Sequence, residues 1–279
     1  LKQLLNLHPK YIDLSLDRLR KLLKNLDNPE NFLPPVIHIA GTNGKGSILS
    51  YIRNILIEHD LKVHAYISPH LKDFNERIIL SNKKIQTNKL KNTLELVKNI
   101  NNKKPITFFE ITTAAAFYLF AKEKADFLIL ETGLGGRSDA TNVIKSNLLS
   151  IITPIGIDHQ EYLGKNILKI ADEKLGIIKE NSNVIIAKQK QLVKSHIIKK
   201  IKKNKKNLNF YNKEFVIINQ NKKFFSMRYK KEIMTFKKPS LLGKHQTENA
   251  TTAIAAILKL KELGYNFSHK KISTALSTT

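Results

Sequence analysis

The sequence predicts an α/β fold, with a mostly parallel sheet that carries helices on both faces and a small antiparallel β region. The first observation is that short apolar and β-branched runs alternate with longer segments whose apolar residues recur at helical spacing. Strands that alternate with helices favour a parallel sheet covered on both faces. The second observation is a series of four short β-type runs between residues 208 and 236. Such closely spaced runs, separated by Asn and Lys turns, favour antiparallel pairing.

Each element is assigned from its own pattern. Runs such as VIHIA, which are β-branched and apolar, predict buried strands at residues 36–40, 63–67, 127–131, 148–153 and 184–187. Segments with apolar residues on one face predict helices at about 11–26, 47–58, 88–99, 110–121, 167–178 and 246–263. The runs LNFYN, FVIIN, KFFSMRY and EIMTF predict antiparallel strands within a β-rich portion at about 208–240. We find no internal repeat.

Composition limits the class of protein. The chain has 279 residues, of which 42% are hydrophobic, and this is enough for a substantial core. No apolar stretch is long enough to cross a bilayer, and no signal peptide opens the chain. Cysteine is absent, which excludes disulfides and Cys-ligated metals. We therefore expect a cytoplasmic protein, monomeric and without a membrane partner.

The net charge of +25 raises the alternative of nucleic-acid binding. Lys, Asn and Ile are abundant along the whole chain, as expected if coding bias set the composition. In the densest basic run, at residues 194–209, isoleucines alternate with lysines, which is typical of a solvated helix face. A positive field also suits anionic substrates such as ATP or a polycarboxylate. We therefore expect no nucleic-acid partner.

A glycine-rich loop separates the strand at 36–40 from the helix at 47–58. The loop reads GTNGKGS, from Gly41 to Ser47. Glycines allow close approach of backbone N–H groups to a ligand, and the following helix adds its positive end. Lys45 adds a mobile charge, so the loop suits a triphosphate. The general phosphate-loop pattern has glycine where Ile39 stands and has no residue between the lysine and the hydroxyl. An ordinary strand-to-helix turn therefore stays an alternative from this loop alone.

Polar residues follow three further predicted strands. Ser68 follows the strand at 63–67, Glu131 ends the strand at 127–131, and Asp158 and His159 lie beyond the strand at 148–153. In open parallel sheets, ligands bind beyond the carboxyl ends of the strands. Hydroxyl and carboxylate oxygens suit magnesium, whereas imidazole is a less usual magnesium ligand. The pattern predicts a magnesium site beside the phosphate loop.

Several motifs together carry a family resemblance. They are LHPKYIDLSLDR, HIAGTNGKGS, YISPHL with FNERI, TFFEITTAAAF, LETGLGGRSDATN, ITPIGIDHQEYLG, ADEKLGIIK and LLGKHQTENATTA. The chain resembles folylpolyglutamate synthase, including the bifunctional dihydrofolate synthase form, within the Mur ligase superfamily. The motifs occur in family order over nearly the whole chain. The family's phosphate loop has the form GTNGKGS, which accounts for the departure from the general pattern.

The resemblance implies a role for individual residues. The loop would wrap the ATP phosphates through Thr42, Asn43, Gly44, Lys45, Gly46 and Ser47, and Asn249 would meet adenine. One magnesium would be held by Ser68 and Glu131, and a second by Glu131, His159 and a carbamylated Lys174. The residues with catalytic roles would be Lys45, Glu131, His159 and Lys174. From their surroundings alone, Ser68 also fits a turn, His159 a surface position and Lys174 a solvated helix face.

The resemblance also implies a pterin site. Its residues would be Asn6, Leu7, His8, Thr107, Phe108, Phe109, Glu110, Ser138, Asp139 and Ala140. Phe108 and Phe109 could stack on a pterin or benzoyl ring, or pack in the core at the start of a helix. Ser138 stands where relatives often have leucine, so this sequence departs from the family pattern at that contact.

The implied reaction is ATP-dependent amide ligation through an acyl phosphate. L-Glutamate would be added to dihydropteroate, to the glutamate tail of folates, or to both. The substrates would be ATP, dihydropteroate or folate, and L-glutamate. We expect residues 1–279 to be the ATP- and pterin-binding domain and a C-terminal glutamate-binding domain to be missing, so that the chain alone is inactive. The alternatives are another Mur-type amino-acid ligase and a basic nucleic-acid-binding protein with a phosphate loop.

Overall fold

Eight strands form the main sheet of the computed structural model, which describes residues 15–201, 207–243 and 245–279. These strands are β1 (Val36–Ala40), β2 (Val63–Tyr66), β3 (Ile78–Leu80), β4 (Lys83–Lys84), β5 (Phe127–Glu131), β6 (Leu149–Ile152), β7 (Asn183–Ile186) and β8 (Leu208–Phe210). Their order is β4-β3-β2-β5-β1-β6-β7-β8. The six strands from β2 to β8 in that order pair in parallel, and β3 and β4 pair antiparallel at one edge. The predicted fold class is confirmed.

A second sheet has three antiparallel strands. They are β9 (Phe215–Gln220), β10 (Phe224–Tyr229) and β11 (Glu232–Lys237). The helices of the described residues are α1 (Asp17–Asn25), α2 (Lys45–Glu58), α3 (Thr87–Asn101), α4 (Phe108–Lys122), α5 (Gln160–Leu163), α6 (Ile167–Leu175), α7 (Gln191–Ile201), α8 (Gln246–Glu262) and α9 (His269–Ser277). None of these helices is long and apolar enough to cross a membrane.

The central strands are covered on both faces. All five residues of β1 are buried, as expected for a parallel strand between two helix layers. Because side chains alternate along a strand, Ile37 and Ile39 pack in the layer that contains α2, α8, α9 and the second sheet. Val36 and Ala40 face the other layer, where α1, α3 and α4 cover one half of the sheet and α6 and α7 the other.

The run LNFYN was expected in the antiparallel region, and that assignment is wrong. It forms β8, which pairs in parallel with β7 in the main sheet, with Leu208 opposite Val184. The physical reason is α7, which lies between these strands and buries Val193 and Ile197, so the connection is a crossover. The antiparallel sheet therefore begins at Phe215. The short edge strands β3 and β4 were not predicted, because two or three residues carry no period.

Part of the predicted pterin site lies outside the described residues. This holds for Asn6, Leu7 and His8, and for the first part of the helix predicted at 11–26.

Candidate functional site

The carboxyl ends of four adjacent parallel strands meet at one edge of the main sheet. β1 lies between β5 and β6, with Ile39 opposite Glu131 and Ala40 opposite Ile152. β2 lies beyond β5, and Ser68 follows it. After β1 the chain continues to β2, which lies on the β5 side of β1, whereas β6 lies on the opposite side of β1. A crevice is expected at such a point of a parallel sheet.

The loop after β1 is held in shape by the segment after β6. The N–H groups of Thr42 and Asn43 donate to the carbonyl of Pro154, at 3.0 and 3.2 Å. The Thr42 hydroxyl donates to the Gly156 carbonyl and accepts from the Gly156 N–H, both at 3.0 Å. Gly44 then takes a left-handed conformation, with φ of 82°, and caps α2. The loop is therefore braced from outside before any ligand binds.

The first turn of α2 provides an anion-binding surface. The N–H groups of residues 45–47 have no partner within the helix, because an α-helix leaves its first donors unpaired. The aligned peptide dipoles add positive potential at this end. Gly46 is exposed, and a Cβ at this position would meet no atom within 4 Å. This end of α2 thus has the donors, the potential and the open space that a phosphate group needs.

Two lysines converge on one carbonyl of the loop. Lys45 Nζ donates to the Gly41 oxygen at 3.2 Å, and Lys174 Nζ donates to the same oxygen at 3.0 Å. Lys174 is 3% exposed, so it does not lie on a solvated helix face. Burial, assisted by the charge of Lys45, lowers the pKa of Lys174 to about 8. The structure places both predicted lysines at the phosphate loop.

Gly41 and Thr153 are packed without free space. A Cβ on Gly41 would lie 1.9 Å from Thr153 Oγ1, so only glycine fits here. Among the described residues, this buried hydroxyl oxygen has no hydrogen-bond partner. Sequence reasoning did not select Thr153, although its position at the end of β6 was a usable signal.

Glu131 and Ser68 are neighbours, and their role as ligands of one magnesium stays a prediction. The Ser68 N–H donates to Glu131 Oε2 at 3.3 Å. Glu131 is 4% exposed, and burial raises its pKa to about 7, although the charge of Lys45 and the bond from Ser68 act in the opposite direction. A buried carboxylate with a raised pKa is destabilised as an anion, and a nearby cation would relieve that cost.

His159 lies at the start of α5, in a left-handed conformation with φ of 47°. Its side chain is 50% exposed, and its Nε2 lies 3.5 Å from an oxygen of Asp158. Within the described residues, no three His, Asp or Glu side chains form a metal-binding group. Of the four predicted magnesium ligands, only Glu131 and His159 are His, Asp or Glu residues. The role of the four as metal ligands stays a prediction.

Asn249 of α8 lies against the phosphate loop. A Cβ on Gly44 would lie 2.6 Å from Asn249 Oδ1. The Asn249 amide donates to Gln246 Oε1 at 3.1 Å, and Gln246 Nε2 donates to the Ser47 hydroxyl at 3.3 Å. These contacts join the start of α8 to the start of α2. The predicted contact of Asn249 with adenine stays a prediction.

The predicted pterin residues of α4 form its first turn. Thr107 caps the helix, since its hydroxyl accepts from the Glu110 N–H at 3.1 Å, and Glu110 Oε2 accepts from the Thr107 N–H at 2.7 Å. Phe108 packs on Phe74, with ring centroids 5.3 Å apart. Glu110 is 5% exposed and is paired with Arg18, a residue that sequence reasoning did not select.

Asp139 organises the loop after β5. It is 3% exposed, and its oxygens accept from the N–H of Leu134 at 2.7 Å, the N–H of Thr141 at 2.9 Å and the Thr141 hydroxyl at 2.5 Å. Because that hydroxyl donates to Asp139, it accepts from His38 Nε2, which lies 2.8 Å away. Ala140 is buried and Ser138 is half-buried. The contact of all three with a pterin stays a prediction.

Gly136 of the same loop and Gly176, which follows α6, allow the loop to pack directly on that helix. A Cβ on Gly136 would lie 2.5 Å from the carbonyl oxygen of Glu173, and one on Gly176 would lie 2.4 Å from Cβ of Arg137. The Arg137 N–H donates to the Glu173 carbonyl at 2.7 Å. This contact fixes α6, and with it Lys174, against the loop that follows Glu131.

Fold and site together define an α/β protein whose glycine-rich loop and helix N-terminus, suited to a phosphate group, lie at the carboxyl edge of a parallel sheet. The model of the Mur ligase middle domain matches residues 39–257. The chain belongs to the Mur ligase family.

Individual proteins of this family are also similar to the chain. The chain is 42% identical over 181 residues to dihydrofolate synthase/folylpolyglutamate synthase of Haemophilus influenzae, covering 64% of this chain and 40% of that protein. It is 37% identical over 253 residues to the Bacillus subtilis protein of the same name, covering 86% of this chain and 58% of that protein. A solved structure of E. coli FolC in complex with DHPP and ADP matches with a TM-score of 0.88 and 28% identity, covering 99% of this chain and 64% of that one. The chain thus spans about half the length of the two curated relatives.

Proposed function

We propose that this chain binds ATP with magnesium and a pterin substrate, and that it belongs to an ATP-dependent ligase that adds L-glutamate to dihydropteroate or to the glutamate tail of folates. The observation that carries the proposal is the convergence at Gly41. The phosphate loop, Lys45 and Lys174 meet there, and Glu131 ends the neighbouring strand. The names of the relatives support the substrate class, and the E. coli structure has ADP and DHPP as its ligands.

The braced loop would bind the phosphates of ATP. The N–H groups of residues 45–47 lie at the positive end of α2, and Lys45 is near enough to exchange the Gly41 carbonyl for a phosphate oxygen. Donors that are already in place stabilise developing charge without reorganisation. Lys45 and the loop would therefore both hold the nucleotide and neutralise charge on the transferred phosphoryl group.

The residues present fit magnesium. Glu131 is a buried carboxylate beside the loop, and its raised pKa indicates an environment without enough positive charge to stabilise the anion. Carboxylate and hydroxyl oxygens, here from Glu131 and Ser68, are ligands that magnesium prefers. When bound, the metal would offset phosphate charge. The exposed His159 could join from α5.

Lys174 fits a carbamate ligand. Its pKa near 8 leaves a larger fraction of neutral amine at neutral pH than an exposed lysine has, and it is this neutral amine that reacts with CO₂. The ammonium first loses one proton to give the neutral amine, and the amine loses a second proton when its nitrogen bonds to the carbon of CO₂, so the charge changes from about +1 to −1. An anionic side chain would then lie where two lysine ammonium groups now share one carbonyl.

In the proposed reaction, the carboxylate of the pterin substrate attacks the γ-phosphorus of ATP, and ADP leaves. The amino group of L-glutamate then attacks the acyl phosphate, phosphate leaves, and an amide bond forms. Positioning and charge neutralisation are the main contributions of a protein to this chemistry. The aromatic pair Phe108 and Phe109 would hold the pterin.

The proposal assigns the positive charge of the chain to these anionic substrates. We also propose that the protein is cytoplasmic and monomeric, and that it has no nucleic-acid or membrane partner. In support, the described part of the densest basic run buries Ile197 and Ile201 in α7 and leaves Lys199 and Lys200 exposed.

Calorimetry with Mg²⁺ and a β,γ-methylene analogue of ATP tests the nucleotide site. Lys45→Met should weaken binding by about tenfold or more, since a charge-assisted hydrogen bond contributes about 1.5–3 kcal/mol. Lys24→Met is the matched control, because Lys24 is exposed in the last turn of α1. The control should bind like the wild type. No binding by the wild type, or equal binding by Lys45→Met, would contradict the proposal.

A further inference from the structure

Arg18 and Glu110 form an ion pair between α1 and the first turn of α4. Arg18 Nη2 lies 3.3 Å from Glu110 Oε1, and Arg18 Nε donates to Glu110 Oε2 at 3.4 Å. The side chains are 23% and 7% exposed, and the residues are 92 positions apart. This two-point geometry fixes orientation as well as distance, because guanidinium and carboxylate are both planar.

Glu110 is fully engaged within the protein. Besides the pair with Arg18, its Oε2 accepts from the Thr107 N–H at 2.7 Å, which is one half of the cap of α4. A buried carboxylate needs a compensating charge, and Arg18 supplies it. Glu110 is thus held by Arg18 and in turn holds Thr107, so the pair determines where the first turn of α4 begins.

That turn carries two aromatic rings in defined places. Phe109 packs on Gly133 of the loop after β5, where an added Cβ would lie 2.5 Å from Phe109 Cζ. The Phe109 ring centroid lies 5.8 Å from that of Tyr66. Phe108 packs on Phe74 in the segment after β2. A shift of this turn would therefore displace both rings relative to the strand ends that carry the site.

We propose that Arg18 is a positioning residue: through Glu110 it holds the first turn of α4, and so orients the aromatic pair Phe108 and Phe109 for the pterin substrate. The proposal rests on the proposed function for the identity of that ligand. Arg18 lies on α1 and acts through its contacts with Glu110.

Three variants test this role. Arg18→Met removes the charge and keeps the apolar stem, and Arg18→Lys keeps the charge without the two-point contact. Glu110→Gln leaves a carbonyl oxygen to cap Thr107 and removes the charge that Arg18 neutralises, so it tests the pair if Arg18→Met does not fold. Arg20→Met is the matched control, because Arg20 lies on the same helix in an exposed pair with Asp17, at 3.5 Å.

Amide hydrogen exchange at residues 107–110, and the affinities for pteroate and for the ATP analogue, are measured for each variant. We expect Arg18→Met to exchange faster at 107–110 and to bind pteroate about tenfold more weakly, with unchanged affinity for the nucleotide. Arg18→Lys should be intermediate and Glu110→Gln should resemble Arg18→Met, while Arg20→Met should match the wild type.

Two results would overturn the role of Arg18: unchanged exchange at 107–110 in Arg18→Met, or faster exchange with unchanged pteroate affinity. Equal effects in Arg20→Met would do the same. A wild-type chain that binds the nucleotide but no pteroate would instead refute the pterin part of the proposed function. The exchange at residues 107–110 would then decide alone whether Arg18 holds this turn.

Discussion

Lys174 shows that a single residue can be buried although the sequence around it predicts an exposed position. It lies in a lysine-rich segment, yet it is buried and donates to Gly41. Lys179 is a useful comparison in the same region, since burial also lowers its pKa, but it donates to the Asn142 carbonyl at 3.1 Å, away from the phosphate loop. Burial is therefore common to both lysines, and position beside the loop distinguishes them.

Carbamylation of Lys174 can be measured directly. In ¹³C-bicarbonate, we expect the wild-type chain to give a carbamate NMR signal that is absent from Lys174→Arg and present in Lys179→Arg. The reason is that a guanidinium stays charged and does not take up CO₂. A signal that persists in Lys174→Arg would exclude Lys174 as its source. A signal that is lost in Lys179→Arg would show that Lys179 carries the carbamate instead.

At the scale of elements, the sequence predicted most strands, helices and the overall strand directions correctly, but it missed some contacts between residues far apart in the chain. The β-branched, apolar run VIHIA predicted β1, and the helical spacing of apolar residues in 47–58 predicted α2, because burial depends there on residues that are close in the chain. The direction of β8 was missed, since it depends on β7, more than 20 positions earlier. Arg18 was missed for the same reason, because its partner is 92 positions away. The motifs selected the candidate site residues, and only the fold showed which of them are buried.

Helix α6 depends on a local cap. Asn166 Oδ1 accepts from the N–H of Leu168 at 2.9 Å and of Lys169 at 3.3 Å. Since α6 has nine residues, a cap worth about 1 kcal/mol is a large share of its local stability. This cap thus supports the helix that carries Lys174.

Asn166→Ala should lower the free energy of unfolding by about 1 kcal/mol and speed amide exchange in α6. Asn166→Asp keeps an acceptor at the cap and should retain both values. Denaturant unfolding and hydrogen exchange check this. An alanine variant that exchanges as slowly as the wild type would show that contacts with α7 and with the loop after β5 are sufficient to stabilise α6.

At the scale of the whole molecule, two buried histidines contribute to how the stability of the fold depends on pH. Burial lowers the pKa of His38 to about 3 and that of His64 to about 4. Unfolded histidines titrate near pH 6.5. Between pH 6.5 and about 4, these two side chains therefore bind protons in the unfolded chain that they exclude in the folded chain, and their contribution to the free energy of unfolding falls as the pH falls. Glu131, whose pKa burial raises to about 7, acts in the opposite direction.

His38→Gln keeps a donor for Thr141 and does not titrate. We expect its unfolding free energy to fall less steeply between pH 6.5 and 5, by up to about 1.4 kcal/mol per pH unit. His269→Gln is the control, because His269 is exposed, and it should keep the wild-type slope. Equal slopes for wild type and His38→Gln would mean that His38 is protonated in the folded state.

The brace on the phosphate loop has a consequence for protein engineering. The hydroxyl of Thr42 is hydrogen-bonded to Gly156, and the N–H of Asn43 donates to the Pro154 carbonyl. Both partners are more than 100 positions away in the chain. A chimera that receives the seven residues of the loop alone would lack those partners. Transplanting nucleotide binding into another parallel sheet therefore requires two segments together, the loop and residues 153–156, on neighbouring strands.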